Sequence, residues 1–222
     1  MGRILEEKYM KITFTGPQGT GKTTLIERLQ KDKEIANRFV FRTNITREAL
    51  GPSGKFNQSG DDDTQAAIMA QHVRNLIGNE DVIIERCALD GFVWTSYLYK
   101  LGKVTHSTLN LAEKIFHSLI DQYNIIFYTP AEFPLIGDNI RSGNVEYQKE
   151  IEDIFEDYIK TYRIPVMRLA GSVAKRIETV KQVIDIYDKE MNKENKFFNK
   201  LDNMLLKELF KINRENNSEY KQ

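Results

Sequence analysis

Residues 16–24 read Gly-Pro-Gln-Gly-Thr-Gly-Lys-Thr-Thr and are the most informative segment of the chain. An apolar run precedes them at 9–15, and a helical pattern follows at 25–29. Glycines at these positions let successive backbone N–H groups point at a polyphosphate, toward which the next helix also directs its positive end. The spacing therefore predicts a phosphate-binding loop between a strand and a helix.

The residue types in the loop predict a nucleoside triphosphate site. Lys22 can reach the terminal phosphates, and the Thr23 hydroxyl stands where a Mg²⁺ ion bridging two phosphates needs a ligand. We expect ATP and Mg²⁺ as cofactors. The predicted contacts of ATP are Gly16, Gln18, Gly19, Thr20, Gly21, Lys22, Thr23 and Thr24.

The length of 222 residues is typical of a single α/β domain with an added helix. Its 32 basic and 32 acidic residues balance, so no global field attracts nucleic acid. Cys87 is the single cysteine, which excludes an internal disulfide, and no run approaches about 20 apolar residues. We expect a cytoplasmic protein without a membrane partner.

Apolar runs alternate with helical periodicities along the chain, which predicts a mostly parallel sheet covered by helices. The predicted strands lie at 10–15, 38–42, 81–85, 124–128 and 165–169. The predicted helices lie at 22–32, 62–78, 87–101, 107–122, 144–162 and 173–190. Ligands of such sheets bind beyond the carboxyl ends of the strands, so the residues that follow each strand are the candidates for function.

Charged residues end the third predicted strand. Glu85 can hold Mg²⁺ or accept the proton of an acceptor hydroxyl, and Arg86 can bind a phosphate or stabilise the transferring group. The alternative is a buried ion pair without catalytic function. Asp90 is a candidate substrate contact, although it can also act only as a cap of the next helix.

Two further segments supply candidates. Arg47 and Glu48, after the second strand, can clamp the acceptor and act as general base, or they can be an exposed pair at a helix start. The prolines and glycine at 128–142 indicate a lid, from which Arg141 can swing over the phosphates. The alternative for Arg141 is a solvated arginine at a helix start.

The acceptor itself is predicted from few residues. Gln65 can read the edge of a base, and the aromatic residues at 92, 94, 97 and 99, Trp94 among them, can stack on one. Aromatic residues within a helix are also typical of a core. The three histidines show no ligand spacing, so we interpret them as structural or surface residues and expect no zinc site.

Several motifs together resemble one family. They comprise the loop at 16–24, Thr46-Arg47-Glu48, Asp63-Thr64-Gln65, Glu85-Arg86-Cys87-Ala88-Leu89-Asp90, Phe133-Pro134 with Asp138, Arg141-Ser142, Ile164-Pro165, Gly171-Ser172-Val173 and Arg176. Over roughly residues 10–187 the chain resembles the phosphate-loop kinases that contain the nicotinamide riboside kinase domain of the bacterial NAD-salvage regulator. Thymidylate and deoxynucleoside kinases are broader relatives, and similar small kinases are frequent in large bacteriophages.

The resemblance implies a three-layer α/β/α phosphate-loop kinase fold with a helical lid near 130–146. It also implies that Lys22 and Thr23 act on ATP and Mg²⁺, that Glu85 and Arg86 lie at the reacting groups, and that the Gly171-Ser172 loop with Arg176 lies near the adenine. Family members often carry Asp-Arg where this chain has Glu-Arg, which is closer to deoxynucleoside kinases. Of the steps that the fused NAD-salvage enzyme performs, we expect this chain to retain only the kinase step. We expect it in the cytoplasm, which would be that of the host cell if a phage encodes the chain.

The segment 191–222 differs in composition and lies outside the resemblance. Apolar residues at three- and four-residue spacing predict an amphipathic helix and tail after a kinase domain at 1–190. Packing on the kinase core and homodimer formation are comparable alternatives, and nucleic-acid binding through its lysines is a third.

We therefore predict an ATP- and Mg²⁺-dependent kinase that phosphorylates a small nucleoside or nucleotide-like acceptor. One alternative is a kinase of a hydroxymethylated pyrimidine base within DNA. A second is an ATPase or nucleotide-controlled binding module without a small-molecule acceptor.

Overall fold

A computed structural model describes residues 9–51, 57–131 and 145–191, together with Lys193. These residues form one five-stranded sheet in the order β2-β3-β1-β4-β5, with every neighbouring pair parallel. The strands are β1 (Lys11–Thr15), β2 (Val40–Arg42), β3 (Val82–Glu85), β4 (Ile125–Tyr128) and β5 (Val166–Arg168). The predicted α/β phosphate-loop kinase fold is confirmed, and its sheet is wholly parallel where a mostly parallel one was predicted.

The central strands owe their place to continuous apolar sequence. All four residues of β3 and all four of β4 are buried, as in parallel sheets covered on both faces. In β1, Phe14 pairs with Glu85 of β3, and Thr15 pairs with Tyr128 of β4. The phosphate loop that follows β1 therefore starts between the carboxyl ends of β3 and β4.

Eight α-helices lie within the described residues. They are α1 (Lys22–Leu29), α2 (Lys33–Arg38), α3 (Ile45–Leu50), α4 (Asp62–Arg74), α5 (Ala88–Lys100), α6 (His106–Leu119), α7 (Val145–Thr161) and α8 at 173–191. The short helices α2 and α3 were not predicted.

Two predicted helices end earlier than their periodicity indicates. The helix predicted at 22–32 stops at Leu29, because Asp32 accepts hydrogen bonds from the N–H groups of Glu34 and Ile35 and thereby starts α2. The helix predicted at 62–78 stops at Arg74. There the guanidinium of Arg42 donates to carbonyl oxygens at 74, 75 and 77 and satisfies the end of α4.

The chain divides into two compact units, Met1–Ile177 and Glu178–Gln222. The first contains the sheet and α1–α7. In the second, the structure describes the remainder of α8. The predicted lid with Arg141, and the C-terminal helix predicted within 191–222 apart from residues 191 and 193, lie outside the described residues. None of the helices in the described ranges has the length and apolar character needed to span a bilayer.

Candidate active site

The phosphate loop has the backbone that its glycines predict. Gly16, Gly19 and Gly21 all have positive φ values, of 130°, 76° and 83°. At Gly16 a Cβ atom would also overlap the carbonyl oxygen of Thr129, so this position excludes every side chain. The Thr129 hydroxyl lies 2.8 Å from that of Thr20, which joins the loop to the end of β4.

Lys22 is buried and folds back over the loop. Its Nζ donates to the carbonyl oxygens of Gly16 at 2.7 Å and Pro17 at 2.5 Å, and to the Thr20 hydroxyl at 3.0 Å. The ammonium group thus lies inside the concave loop, where a polyphosphate would need its charge.

Glu85 connects three elements. Its Oε1 accepts a hydrogen bond of 2.7 Å from the Thr23 hydroxyl of α1, and its Oε2 accepts one of 3.2 Å from the Asn44 N–H before α3. The two residues predicted as metal ligands are therefore in direct contact. A hydroxyl and a carboxylate are oxygen ligands of the kind that Mg²⁺ prefers.

Arg86 and Asp90 form an ion pair next to Glu85. Arg86 Nη1 lies 3.0 Å from Asp90 Oδ1, and Asp90 is only 1% exposed. The other carboxylate oxygen accepts hydrogen bonds from the Thr15 hydroxyl and the Cys87 N–H. Arg86 has φ of 72°, a left-handed conformation that turns the chain sharply after β3. Asp90 thus caps α5 and positions the guanidinium of Arg86.

A cavity opens beside this ion pair. Its empty volume is about 500 Å³, including the part open to solvent. The lining residues are Thr46, Asn57, Thr64, Gln65, Ile68, His72, Arg86, Asp90, Gly91 and Trp94. We call it the acceptor pocket. It brings together Gln65, Arg86, Asp90 and Trp94, which the sequence placed at the reacting groups or the acceptor.

Arg47 and Glu48 are placed elsewhere. Both are exposed on α3, and neither lines the acceptor pocket. Glu48 accepts a long hydrogen bond of 3.4 Å from the Gln71 amide on the outer surface of α4.

Of the four aromatic residues proposed to stack on a base, Trp94 alone lines the pocket. Phe92 instead packs in the core, where its ring stacks on Phe116 and Tyr158. Tyr97 accepts a hydrogen bond from Gln58, and Tyr99 is exposed.

The Gly171-Ser172 loop reaches the phosphate loop through Arg176. This arginine donates to the Thr20 carbonyl oxygen at 2.7 Å and to the Gly171 carbonyl oxygen at 2.9 Å. Ser172 accepts from the N–H groups near the start of α8. Arg176 thus supports the backbone of the phosphate loop. The prediction that it lies near adenine did not include this contact.

The remaining loop residues differ in exposure. Gln18 is buried, its carbonyl oxygen accepts from the Gln148 amide of α7, and its own amide has no partner among the described residues. Thr24 is exposed in the first turn of α1.

His72, which the sequence analysis interpreted as a structural or surface residue, is buried in the wall of the acceptor pocket. Burial is the main cause that lowers its pKa from 6.5 to about 4. The charge of Asp90 opposes this shift, and the charge of Arg86 adds to it. The spacing of Gln65, Ile68 and His72 places all three on one face of α4, and this spacing could have predicted that His72 shares a wall with Gln65.

Cys87 is buried at the start of α5. Burial is the main cause that raises the pKa of its thiol far above the ordinary value. This cysteine is therefore not a nucleophile of the site.

The residues present fit a nucleotide and a metal ion. The curled loop holds a buried ammonium group, and the contact between Thr23 and Glu85 supplies two hard oxygen ligands beside it. Phosphate oxygens and water complete the ligand sets of Mg²⁺ in such sites.

Solved structures of similar fold include a deoxyadenosine kinase from M. mycoides with the products dCMP and dCDP. It has a TM-score of 0.59 at 17% identity, over 79% of this chain and 98% of that chain. NadR in complex with NAD and AMP-PNP has a TM-score of 0.58 at 16% identity, over 80% of this chain and 49% of that chain. NadR in complex with NR has a TM-score of 0.54 at 17% identity, over 74% and 44%.

No curated protein sequence matches the chain. The likeness to these structures confirms the fold that the motifs indicated, and a family model also matches the chain. That model describes an AAA domain and matches residues 11–176, from the start of β1 to the arginine that supports the phosphate loop. The chain therefore belongs to this AAA domain family.

Proposed function

We propose that the protein is an ATP-dependent kinase that transfers the γ-phosphoryl group to a hydroxyl of a nucleoside or nucleotide-like small molecule. One observation carries the proposal. Glu85 and Arg86 are consecutive, yet Glu85 binds Thr23 of the phosphate loop while Arg86 lines the acceptor pocket. A phosphoryl donor and an acceptor are thus held at one strand end, which is what phosphoryl transfer requires.

The proposed role of each residue follows from its position in the site. Lys22 and the loop N–H groups bind and orient the phosphates, and Arg86 stabilises charge on the transferring group. Thr23 and Glu85 would hold Mg²⁺, which neutralises phosphate charge when bound. The acceptor oxygen bonds to the γ-phosphorus, the bond to the bridging oxygen breaks, and ADP leaves.

Of the two candidate carboxylates, the contacts favour Glu85 for orienting the acceptor hydroxyl and taking its proton. Glu85 touches the phosphate loop, whereas Glu48 is exposed on α3. We expect Glu85→Gln to lower kcat by about 100-fold or more, the usual range for acid–base residues and metal ligands. Glu48→Gln should stay within a few-fold, and the reverse pattern would assign the function to Glu48.

The similar structures support the class of acceptor. They contain dCMP or NR, each of which carries a ring on a sugar. The acceptor pocket supplies Gln65 for a ring edge and Trp94 for a ring face.

The test incubates the purified protein with Mg²⁺ and γ-labelled ATP against nicotinamide riboside, the deoxynucleosides, their monophosphates, and DNA containing hydroxymethyluracil. Label on a small molecule supports the proposal and names the acceptor. Label on DNA alone, or free phosphate alone, overturns it in favour of a DNA kinase or an ATPase. Lys22→Ala, with exposed Lys31→Ala as control, checks that the activity belongs to this site.

A further inference from the structure

His72 is a buried polar side chain whose Nδ1 has no hydrogen-bonding partner among the described residues. It is 1% exposed and lies in the wall of the acceptor pocket. Its Nδ1 is fully buried, and across the described part of the chain no group forms a hydrogen bond with it. A buried polar atom left without a partner costs about 1–3 kcal/mol, so this nitrogen needs an explanation.

The ring is held in place by the helix packed against it. Gly91 of α5 faces His72, and a Cβ atom at that position would lie 3.2 Å from His72 Cδ2. The missing side chain of Gly91 therefore lets the imidazole lie against the α5 backbone. Met69 packs at the same place, because that Cβ atom would also overlap its terminal methyl group. The imidazole is thus confined by packing rather than by hydrogen bonds.

The charged groups around the ring come from the strand end and from α5. They are Arg86 and Asp90, which pair with each other. With its low pKa the imidazole is neutral near pH 7, so it offers one N–H donor and one acceptor nitrogen. A neutral imidazole in a pocket wall can bind a polar uncharged group of a ligand.

Gln65 and His72 define two positions along one wall. They are seven residues apart on α4, which is about 10 Å along the helix axis. The Thr95 hydroxyl contacts Gln65 Oε1 at 3.0 Å and holds that amide in place. The wall therefore presents polar groups at two heights, with Trp94 also lining the cavity.

We propose that His72 is a specificity-determining residue that hydrogen-bonds to a polar substituent on the ring of the acceptor. The ligand class is a planar heterocycle carrying a carbonyl, carboxamide or amino group, attached to a sugar. This inference rests on the proposed function and extends it, because it states which part of the acceptor is selected.

The first experiment compares acceptors that differ only in that substituent. The pairs are deoxyadenosine with purine deoxyriboside, and nicotinamide riboside with pyridine riboside. For the pair that contains the better substrate, we expect wild-type kcat/KM to favour the substituted ring by at least tenfold. His72→Phe, which keeps a ring without nitrogen, should lose most of this preference. His106→Phe, at an exposed histidine outside the pocket, should keep it.

The second experiment needs no turnover. In wild-type protein labelled with ¹⁵N-histidine, binding of the substituted nucleoside should shift the imidazole ¹⁵N resonances of one histidine, and binding of the unsubstituted ring should not. Loss of that signal in His72→Phe assigns it.

The outcomes separate this inference from the proposed function. Phosphoryl transfer with neither a resonance shift nor a change of preference in His72→Phe overturns the inference and leaves the kinase intact. A resonance shift without phosphoryl transfer supports the inference and overturns the kinase. Absence of both overturns the two together.

Discussion

Asp90 lies in the first turn of α5 and binds three groups, one from the end of β1 and two from the segment between β3 and α5. One carboxylate oxygen accepts from Thr15 and Cys87, and the other binds Arg86. An asparagine has one acceptor oxygen and one donor amide, so it cannot satisfy both sides.

We expect Asp90→Asn to lower the free energy of unfolding by about 2 kcal/mol, since a buried partner is lost while Arg86 keeps some contact with water. It should also lower kcat, because the guanidinium is no longer held. Urea denaturation and steady-state kinetics measure the two effects. Asp63→Asn, at an exposed position of α4, is the control. Equal stability of the two variants would contradict the structural role of Asp90.

His72 makes stability depend on pH. Its pKa is about 4 in the folded protein and about 6.5 when unfolded, so between these values the unfolded chain binds more protons. The free energy of unfolding therefore falls as the pH drops from 6.5 toward 4. By pH 4.5 the loss from this residue is about 2–3 kcal/mol. Denaturant midpoints at pH 7.5 and 4.5, compared between wild type and His72→Phe, measure it, and identical pH dependence in both proteins would contradict it.

At the level of elements, the beginning of α8 supports the phosphate loop. Arg176 donates to the Thr20 carbonyl oxygen across 156 residues of sequence. This bond fixes one peptide of the loop, and through it the direction of the loop N–H groups.

We expect Arg176→Met to raise the KM for ATP about tenfold or more, with a smaller effect on kcat, because a displaced phosphate loop binds the phosphates less tightly. The matched control is Lys175→Met at the exposed neighbouring position. ATP titrations by calorimetry provide an independent measurement. An unchanged ATP affinity in Arg176→Met would show that the loop holds its shape without this bond.

The elements also show which predictions sequence can support. The five strands were predicted to within two residues at each end, because short segments rich in apolar residues mark them and the glycine loop fixes the end of the first one. The start of α2 was missed because Asp32 was not recognised as a cap. The early end of α4 depends on Arg42, which is 32 positions away from Arg74 in the sequence. Local periodicity cannot predict a contact over that separation.

The same distinction holds in the site. Glu85, Arg86 and Asp90 could be predicted as candidates because they stand at or just after the end of a buried strand, where parallel sheets place their ligands. The position of Glu48 depends on how α3 packs on α4, which the sequence of α3 alone does not determine. The place of His72 in the pocket wall was not predicted, because only metal-ligand spacing of the histidines was considered.

For the whole molecule, nucleotide binding should be visible as added stability. A ligand at about 100 times its dissociation constant adds about 2.7 kcal/mol. In a chain of this size that raises Tm by roughly 5–10 °C. We expect such a shift from ATP with Mg²⁺, and less than about 2 °C in Lys22→Ala. Lys31→Ala should respond like the wild type, and an undiminished shift in Lys22→Ala would place the nucleotide elsewhere.

The consecutive positions of Glu85 and Arg86 have a consequence for how the protein can diversify. One peptide bond joins Glu85, which contacts Thr23 of the phosphate loop, to Arg86, which lines the pocket, so in the proposed reaction β3 sets the distance between the two reacting groups. Most of the remaining pocket wall comes from α4 and α5, which contribute Gln65, His72 and Trp94. We expect substitutions of Gln65, His72 and Trp94 to change which molecule binds while the phosphate chemistry stays the same, whereas Asp90 of the same wall serves both because it positions Arg86.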